Sequence, residues 1–149
     1  MTWLTHRERS RQELRSKLAQ KGFDAGTVGR VLDRLEEIGL QNDRRFAEMF
    51  ASESQRSRGL SAFAIQGQLR RKGVEKTLAA EASTEDPEHE EARARELAVR
   101  RATRLTGLAP DAARRRLEGF LARRGYPAEL SRRLAAEAVR TDETDEGGV

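Results

Sequence analysis

One short phrase occurs three times in this chain of 149 residues, as KLAQKGF, QLRRKGV and FLARRGY. Each copy ends in a basic residue, a glycine and an apolar residue, and the three glycines are Gly22, Gly73 and Gly125. Recurrence at intervals of 51 and 52 residues is typical of a repeat protein, in which each unit buries its apolar face against its neighbours. The repetition therefore favours three tandem copies of one unit over a single irregular domain.

The residues before each glycine have helical spacing. Positions i and i+4 share one face of a helix, and a glycine just past that face is the usual left-handed C-terminal cap. Each phrase therefore predicts the end of a helix, and the apolar residue after the glycine is expected to fold back onto the last turn. The apolar sets are Leu14, Leu18 and Phe23; Ile65, Leu69 and Val74; and Leu117, Leu121 and Tyr126.

Further helices are predicted after each glycine. The expected N-terminal caps are Asp24, then Asn42 or Asp43, and then Asp86 or Thr84, with Pro87 in the first turn. No stretch alternates with the period of two that is typical of strands. We therefore predict an elongated all-α array of three tandem three-helix repeats, of which the third shows only two helices. The predicted boundaries are 4–57, 58–108 and 109–140 for the repeats, and 141–149 for an acidic, disordered tail.

The charge of the chain is uneven. The formal net charge is +4 at pH 7, but the tail from Thr141 holds four acidic residues and no basic one, so the residues before it carry four more, or +8. A basic body of this kind attracts polyanions such as nucleic acids and acidic protein surfaces. The chain has no cysteine, which excludes disulfides and thiolate metal sites.

Nothing in the sequence indicates catalysis, a cofactor or a metal ion. The two histidines, His6 and His89, lie far apart in highly charged segments, and no phosphate-binding loop, HExxH or nucleophile-elbow motif occurs. The acidic run EDPEHEE lacks the oxygen spacing of a calcium loop and is expected to favour a helix N-terminus. The five phenylalanines and Tyr126 are expected in the core, and only Trp3 and Tyr126 fit a base-stacking role loosely.

Basic residues occur in clusters on several predicted helices. The clusters in the second and third phrases occupy equivalent positions, which recur along one side of a stacked array. We expect Arg71, Lys72, Arg123 and Arg124 to form a partner-facing stripe that follows DNA phosphates or an acidic protein rim. The plainer interpretation is a solvated face that keeps the protein soluble. The candidate binding residues are Arg70, Arg71, Lys72, Arg114, Arg115, Arg123, Arg124, Arg132 and Arg133.

Several segments resemble the RecX family of recombination regulators. They are RERSRQEL, KLAQKGF, LEEIGL and NDRRFA in the first repeat, and RGLS with QLRRKGV in the second. The resemblance covers about residues 4–140 and is most specific in 7–74. Asn42 stands where the family often has aspartate, and either residue caps a helix. The family's organisation in three three-helix units agrees with the periodicity.

The resemblance implies a function and partners. RecX proteins bind the RecA recombinase and its nucleoprotein filament, lie in the filament groove, and suppress ATP hydrolysis, strand exchange and coprotease activity. RecA and single-stranded or double-stranded DNA are therefore the expected partners, and enzymatic activity is not expected. No signal peptide or apolar segment of about 20 residues is visible, so a cytoplasmic protein is expected, and nothing demands a dimer.

Two other interpretations stay open. Arginine-rich helix pairs joined near glycine also occur in helix-turn-helix DNA-binding proteins, although sequence-specific DNA reading does not require three units in line. A passive scaffold of helical repeats is the other interpretation. Preference for recombinase-coated DNA over bare DNA at moderate salt distinguishes a recombinase regulator from a general DNA-binding protein.

Overall fold

The computed structural model describes residues 8–147, and this part of the chain is helical without strands. Within it, eight α-helices follow one another, and a π-helical turn at Ser54–Arg58 follows the third. The helices are α1 Arg11–Gln20, α2 Ala25–Glu37, α3 Asp43–Glu53, α4 Ala62–Arg71, α5 Lys76–Ser83, α6 Pro87–Ala102, α7 Pro110–Arg123 and α8 Ala128–Gly147. The predicted all-α class is confirmed. Helix α8 runs into the segment 141–149, whose disorder stays a prediction, as do the repeat boundaries.

Several helices begin at a short polar side chain that caps them. Ser10 and Glu13 form a capping box at α1, in which Ser10 Oγ accepts the Glu13 N–H at 3.1 Å and the Glu13 carboxylate accepts the Ser10 N–H at 3.0 Å. Asp24, Asn42 and Asp86 cap α2, α3 and α6, each through a backbone N–H 2.9 Å away. The predicted caps are therefore confirmed: of the two candidates for each helix, Asn42 caps α3 and Asp86 caps α6.

The three glycine turns share one geometry. Gly22, Gly73 and Gly125 have φ angles of 95°, 86° and 93°, in the left-handed region that glycine adopts without steric cost. In each turn the residue after glycine donates its N–H to the carbonyl five residues earlier, and glycine donates to the carbonyl three residues earlier, at 3.0–3.3 Å. This pattern is the Schellman motif. The helix ends predicted from the repeated phrase are thus confirmed.

The chain folds into two compact units. Of the described residues, the first unit contains 8–54 and Ile65–Thr84, and the second contains Gln55–Ala64 and 85–147. In the first unit α1 packs against α2, and α3 packs against α5. The buried core of the α1–α2 pair is formed by Leu14, Leu18, Val28, Leu32 and Leu35.

Helices α6, α7 and α8 pack against one another in the second unit. The buried face of α6 consists of Ala94, Ala98 and Ala102. The distance between packed helices depends on the side chains at their contact, so these small residues allow α6 to lie close to its neighbours. The larger side chains of this core come from α7, α8 and the turn between them: Leu117, Phe120, Leu121, Tyr126 and Leu134.

In each unit a buried serine before a helix contacts a glycine turn. Ser10, before α1, donates from Oγ to the Lys72 carbonyl at 2.7 Å, in the turn after α4. Ser61, before α4, donates its N–H to the Arg124 carbonyl at 2.9 Å, in the turn after α7. Each serine stands twelve residues before the glycine of its own phrase. The start of one repeat therefore contacts the glycine turn of the next.

Two phenylalanines that were expected in the core are exposed, and for these the prediction is wrong. Phe63 is 81% exposed and Phe23 is 51% exposed. Phe63 stands two residues before Ile65, which lies on the buried face of α4, and residues two apart point to nearly opposite sides of a helix. Phe23 follows Gly22, and a Cβ added at this glycine would meet no atom of the described residues within 4 Å. Among the described residues, no segment covers the first glycine turn as Gln12 covers the second and Ser61 and Ala64 cover the third.

A buried polar network holds the segment before α4 in the second unit. Arg93 on α6 donates to both carboxylate oxygens of Glu85, to the Leu60 carbonyl at 3.0 Å and to Tyr126 Oη at 3.2 Å. Tyr126 Oη in turn donates to the Gly59 carbonyl at 2.7 Å. The Arg93 and Glu85 side chains are only 17% and 12% exposed. The network thus ties Gly59 and Leu60 to α6 and to the third glycine turn.

Burial raises the pKa of Tyr126, because removal from water disfavours the charged phenolate, and the nearby Arg93 opposes this only in part. The native pKa of Tyr126 lies above the unfolded value of about 10. The contribution of Tyr126 to stability is therefore complete below about pH 10, and it is lost as the pH rises through the native pKa. Tyr126 is the only tyrosine, so phenolate absorbance follows it alone. We expect a higher titration midpoint in the native protein than in urea, and equal midpoints would contradict the burial effect.

Candidate partner-binding surface

The candidate binding residues divide between the two units. Arg70 and Arg71 end α4 in the first unit, and Lys72 follows in the glycine turn. The stripe predicted to combine Arg71 and Lys72 with Arg123 and Arg124 draws on both units and stays a prediction. The six candidates of the second unit lie on α7, on α8 and in the turn after α7: Arg114, Arg115, Arg123, Arg124, Arg132 and Arg133.

Arg71 and Lys72 line a cleft of mixed charge in the first unit. The cleft has a volume of about 320 Å³, and its lining also includes Glu13 and Lys17. Lys72 Nζ lies 3.5 Å from a carboxylate oxygen of Glu13 and 5.5 Å from the centre of the Phe50 ring. Lys72 thus has partners within the protein, whereas Arg71 extends to the surface. A ligand in this cleft would meet a carboxylate as well as cations.

The Arg124 side chain packs on other residues of the second unit, to which it belongs. Its guanidinium carbon lies 3.9 Å from the centre of the Phe120 ring, and its Nε donates to the Arg58 carbonyl at 3.1 Å. Burial lowers the pKa of Arg124, and the positive charges of Arg101 and Arg123 lower it further. The positive charges of Arg101, Arg123 and Arg124 therefore repel one another at the end of α7, and a bound anion would relieve that repulsion.

Three arginines of α7 meet one arginine of α6 in a single groove. Arg115, Arg116 and Arg123 line it on one side, and Arg101 lies at the end of α6. The groove has a volume of about 600 Å³, and no acidic side chain lines it. None of these four guanidiniums is in an ion pair with a residue that the structure describes, and the Arg101 guanidinium carbon lies 5.1 Å from the centre of the Phe120 ring. The other lining residues are Leu105, Ala112 and Gly119.

The remaining candidates of the second unit lie outside this groove. Arg114 forms an ion pair with Asp111 one turn earlier on α7, at 2.9 Å. Arg133 on α8 pairs with Glu91 on α6. Arg132 is exposed. Neighbouring arginines in the sequence therefore have different surroundings, as expected for helical residues that point about 100° apart.

Two groove residues, Arg101 and Arg116, are not among the candidates predicted from the sequence. Arg116 does belong to an arginine run with Arg114 and Arg115, so a local signal for it exists. For Arg101 the only local signal is its place in the last turn of α6, where cations are favoured in any helix. Its position in the groove follows from the packing of α6 against α7.

The described residues show neither a metal centre nor a stacking platform. Within residues 8–147 no group of three or more histidine, aspartate and glutamate side chains is placed to hold a metal ion. His89 is exposed on α6, whereas His6 and Trp3 lie outside the described residues. Tyr126 is buried, which is inconsistent with stacking on bases. In the same part of the chain, no helix is both long and apolar enough to cross a membrane.

Models of known protein families match three segments of the chain. The first, second and third three-helix domains of RecX match residues 1–35, 42–82 and 89–134, which together make up most of the sequence. The chain belongs to the RecX family. The predicted family and the three-helix repeats are thereby confirmed. All four groove arginines lie in the segment that matches the third RecX domain.

Curated relatives agree with this assignment. The regulatory protein RecX of Amycolatopsis mediterranei is 44% identical over 138 residues, which cover 92% of this chain and 79% of the relative. The regulatory protein RecX of Streptomyces coelicolor is 36% identical over 143 residues, which cover 95% of this chain and 76% of the relative. Both relatives are regulatory proteins by name.

Two solved RecX structures share the fold. The crystal structure of RecX from Lactobacillus salivarius has a TM-score of 0.75 at 18% identity, with 92% of this chain and 90% of that chain covered. A second crystal structure of regulatory protein RecX has a TM-score of 0.79 at 19% identity, with 89% of this chain and 67% of that chain covered. At these identities the likeness concerns the fold alone.

The RecX domains group the helices differently from the glycine phrases. The match to the second domain contains α3, α4 and α5, and the match to the third begins within α6 and includes α7 and the start of α8. The phrases predict units that begin one helix later, at α4 and at α7. The second and third RecX domains thus carry their glycine turns after their second helices, α4 and α7.

Proposed function

We propose that this chain binds the RecA nucleoprotein filament and inhibits its ATP hydrolysis, strand exchange and coprotease activity. Membership of RecX, a family of regulatory proteins, is the observation that carries the proposal, because all three domains of that family occur in the chain. The protein acts by binding, as a monomer in the cytoplasm, and catalyses no reaction itself.

The arginine surface supports binding to a filament. A nucleoprotein filament presents phosphates and carboxylates at regular intervals, and guanidinium groups bind both through paired hydrogen bonds. The candidates that extend to the surface are the ones we assign to direct contact. Lys72, Arg114 and Arg133 are in ion pairs within the protein, and Arg124 donates a hydrogen bond to the Arg58 carbonyl. The direct contacts are Arg70, Arg71, Arg115, Arg123 and Arg132, together with Arg101 and Arg116 of the groove.

The proposal predicts inhibition at low ratios of this protein to RecA. We expect single-strand-dependent ATP hydrolysis by the cognate RecA to fall when this protein is present well below one molecule per RecA subunit, because one molecule bound to a filament affects several subunits. The measurement is a coupled ATPase assay with this protein titrated in.

Sequestration of DNA must be separated from action on the filament. The matched control repeats the titration at several DNA concentrations with RecA held constant. Inhibition through the filament keeps the same midpoint as DNA is added, whereas sequestration moves the midpoint in proportion to DNA. A midpoint that rises with DNA, or inhibition only when all the DNA is covered, would reject the proposal.

The alternative is an all-α, helix-turn-helix-like DNA-binding protein without recombinase specificity, which the arginine groove also favours. The two functions differ in their preference for RecA-coated DNA over bare DNA at moderate salt. A regulator of the filament prefers the coated strand, whereas a general DNA-binding protein loses its sites when RecA covers them. Phosphate binding in either case weakens steeply with added salt.

A further inference from the structure

The groove between α6 and α7 offers hydrogen-bond donors almost without acceptors. Its charged lining consists of Arg101, Arg115, Arg116 and Arg123, and its other lining side chains are Leu105 and Ala112. A neighbouring cleft beside the π-helical turn is different, because Glu96 lines it among the arginines. A ligand that fills the α6–α7 groove must therefore supply negatively charged acceptors and needs no donors of its own.

The arginines along α7 are spread over a length that suits an extended ligand. Arg116 and Arg123 are seven residues apart on one face of the helix, which corresponds to about 10 Å along its axis. Ala112 and Gly119 line the groove at the alternating positions of the same face, so short side chains leave space beside the guanidiniums. Such an arrangement contacts several anions in a row, where a single phosphate ion would engage only one or two of the arginines.

Two kinds of polyanion could occupy such a groove, and its chemistry favours one. A sugar–phosphate backbone presents repeated charged acceptors, and most protein contacts to it come from arginine, lysine and N–H donors. A protein surface brings donors as well as carboxylates, and protein interfaces usually place aromatic and apolar side chains at their centre. The groove has a single larger apolar side chain, Leu105, and no carboxylate to receive such donors.

We propose that the groove formed by Arg101, Arg115, Arg116 and Arg123 binds the sugar–phosphate backbone of a nucleic-acid strand. The inference deepens the proposed function, on which it rests for the identity of the strand as the DNA of the filament. It assigns the DNA contact to the third RecX domain. The mixed-charge cleft at Lys72, in the other unit, has no part in this site.

The test compares two triple variants of the full chain that remove the same charge. The groove variant is R115A/R116A/R123A, and the control variant is R56A/R100A/R104A, whose arginines are exposed in the same unit, do not line the groove and are not among the candidate binding residues. The probes are a fluorescent oligothymidine and a fluorescent duplex, and anisotropy at several salt concentrations gives the affinity and its salt dependence. No RecA is present, so the result does not depend on filament binding.

We expect the groove variant to lose on the order of 100-fold in affinity for the oligothymidine at 0.1 M salt, with a log–log salt slope smaller by about 2. These values correspond to about 0.7 released counterions for each of three lost phosphate contacts on a single strand. The control variant should lose less than about fivefold, because its charges act only through screened, longer distances.

A third variant tests the groove without removing any arginine. Ala112 is the third residue of α7, where a glutamate is favourable to the helix dipole, so Ala112→Glu should leave stability unchanged. Its carboxylate enters the groove and should reduce oligothymidine affinity roughly fivefold to tenfold, about the effect of one lost phosphate contact. Circular dichroism of each variant verifies that the helices are intact.

Several results would overturn the inference. Equal losses in the groove and control variants would show that diffuse charge, not the groove, binds DNA. Unchanged DNA affinity of the groove variant, with lost binding to DNA-free RecA, would assign the groove to an acidic protein surface. Groove-dependent DNA binding without ATPase inhibition by the wild-type chain would reject the proposed function and leave the groove assignment standing. ATPase inhibition by the wild-type chain, with unchanged DNA binding in the groove variants, would reject the groove assignment and leave the proposed function standing.

Discussion

Replacement of Gly125 by alanine is expected to lower the free energy of unfolding by about 2–5 kcal/mol. The backbone there has φ of 93°, which costs an L-residue about 1–2 kcal/mol. The added Cβ would also lie 2.6 Å from Ala64 Cβ and 3.3 Å from the Ala64 backbone nitrogen. Because neither atom can rotate away, overpacking adds about 1–3 kcal/mol.

The other two glycine turns provide matched controls. Gly22→Ala meets the same backbone strain in open space, so we expect a cost of only about 1–2 kcal/mol. Gly73→Ala should cost about as much as Gly125→Ala, since its Cβ would lie 2.5 Å from Gln12 Cβ, which is fixed by the backbone and cannot rotate away. Urea denaturation followed by circular dichroism, with an unchanged m value, gives the three costs. Equal losses at all three glycines would show that the packing of serine-bearing segments on the turns contributes nothing.

Replacement of Glu85 by alanine is expected to cost about 3–5 kcal/mol, because it leaves the largely buried guanidinium of Arg93 without its charged partner. Arg93 would keep its bonds to the Leu60 carbonyl and to Tyr126 Oη, but neither group neutralises its charge. The pKa of Arg93 is raised, chiefly by the hydrogen bonds to Glu85, so the arginine stays charged at any pH used for the measurement. The loss should appear as a lower urea midpoint.

An exposed ion pair on the same helix serves as the control. Glu96 and Arg100 pair on the surface of α6, with side chains 62% and 73% exposed, so Glu96→Ala should cost less than about 0.5 kcal/mol. A double-mutant cycle with Arg93→Met isolates the buried pair, and the double variant should lose less than the sum of the single losses, by about 0.5–3 kcal/mol. Similar small losses for Glu85→Ala and Glu96→Ala would contradict the role assigned to the network.

The position of the serines illustrates a role that the sequence alone does not reveal. Ser10 and Ser61 belong to the segments RERSRQEL and RGLS, which identify the family, and a serine before a helix predicts an N-terminal cap. Their second role is to contact the glycine turn of the next repeat, 62 residues further on for Ser10. No local pattern encodes a contact of that separation, which requires the helices between to be in place.

The sequence by itself determined the helices, their caps, the three glycine turns and the family. These features depend on interactions within about one helical turn, such as the bond from Phe23 N–H to the Leu18 carbonyl, so nearby residues suffice to predict them. Only the tertiary structure decided which apolar and basic side chains face solvent, a core or a groove. Phe63 is exposed, Arg124 lies on Phe120, and Arg101 meets Arg123 across 22 residues of sequence. The physical reason for the surroundings of the arginines is that α6 packs through its alanines in the core that it shares with α7, and side chains distant in sequence then share one surface.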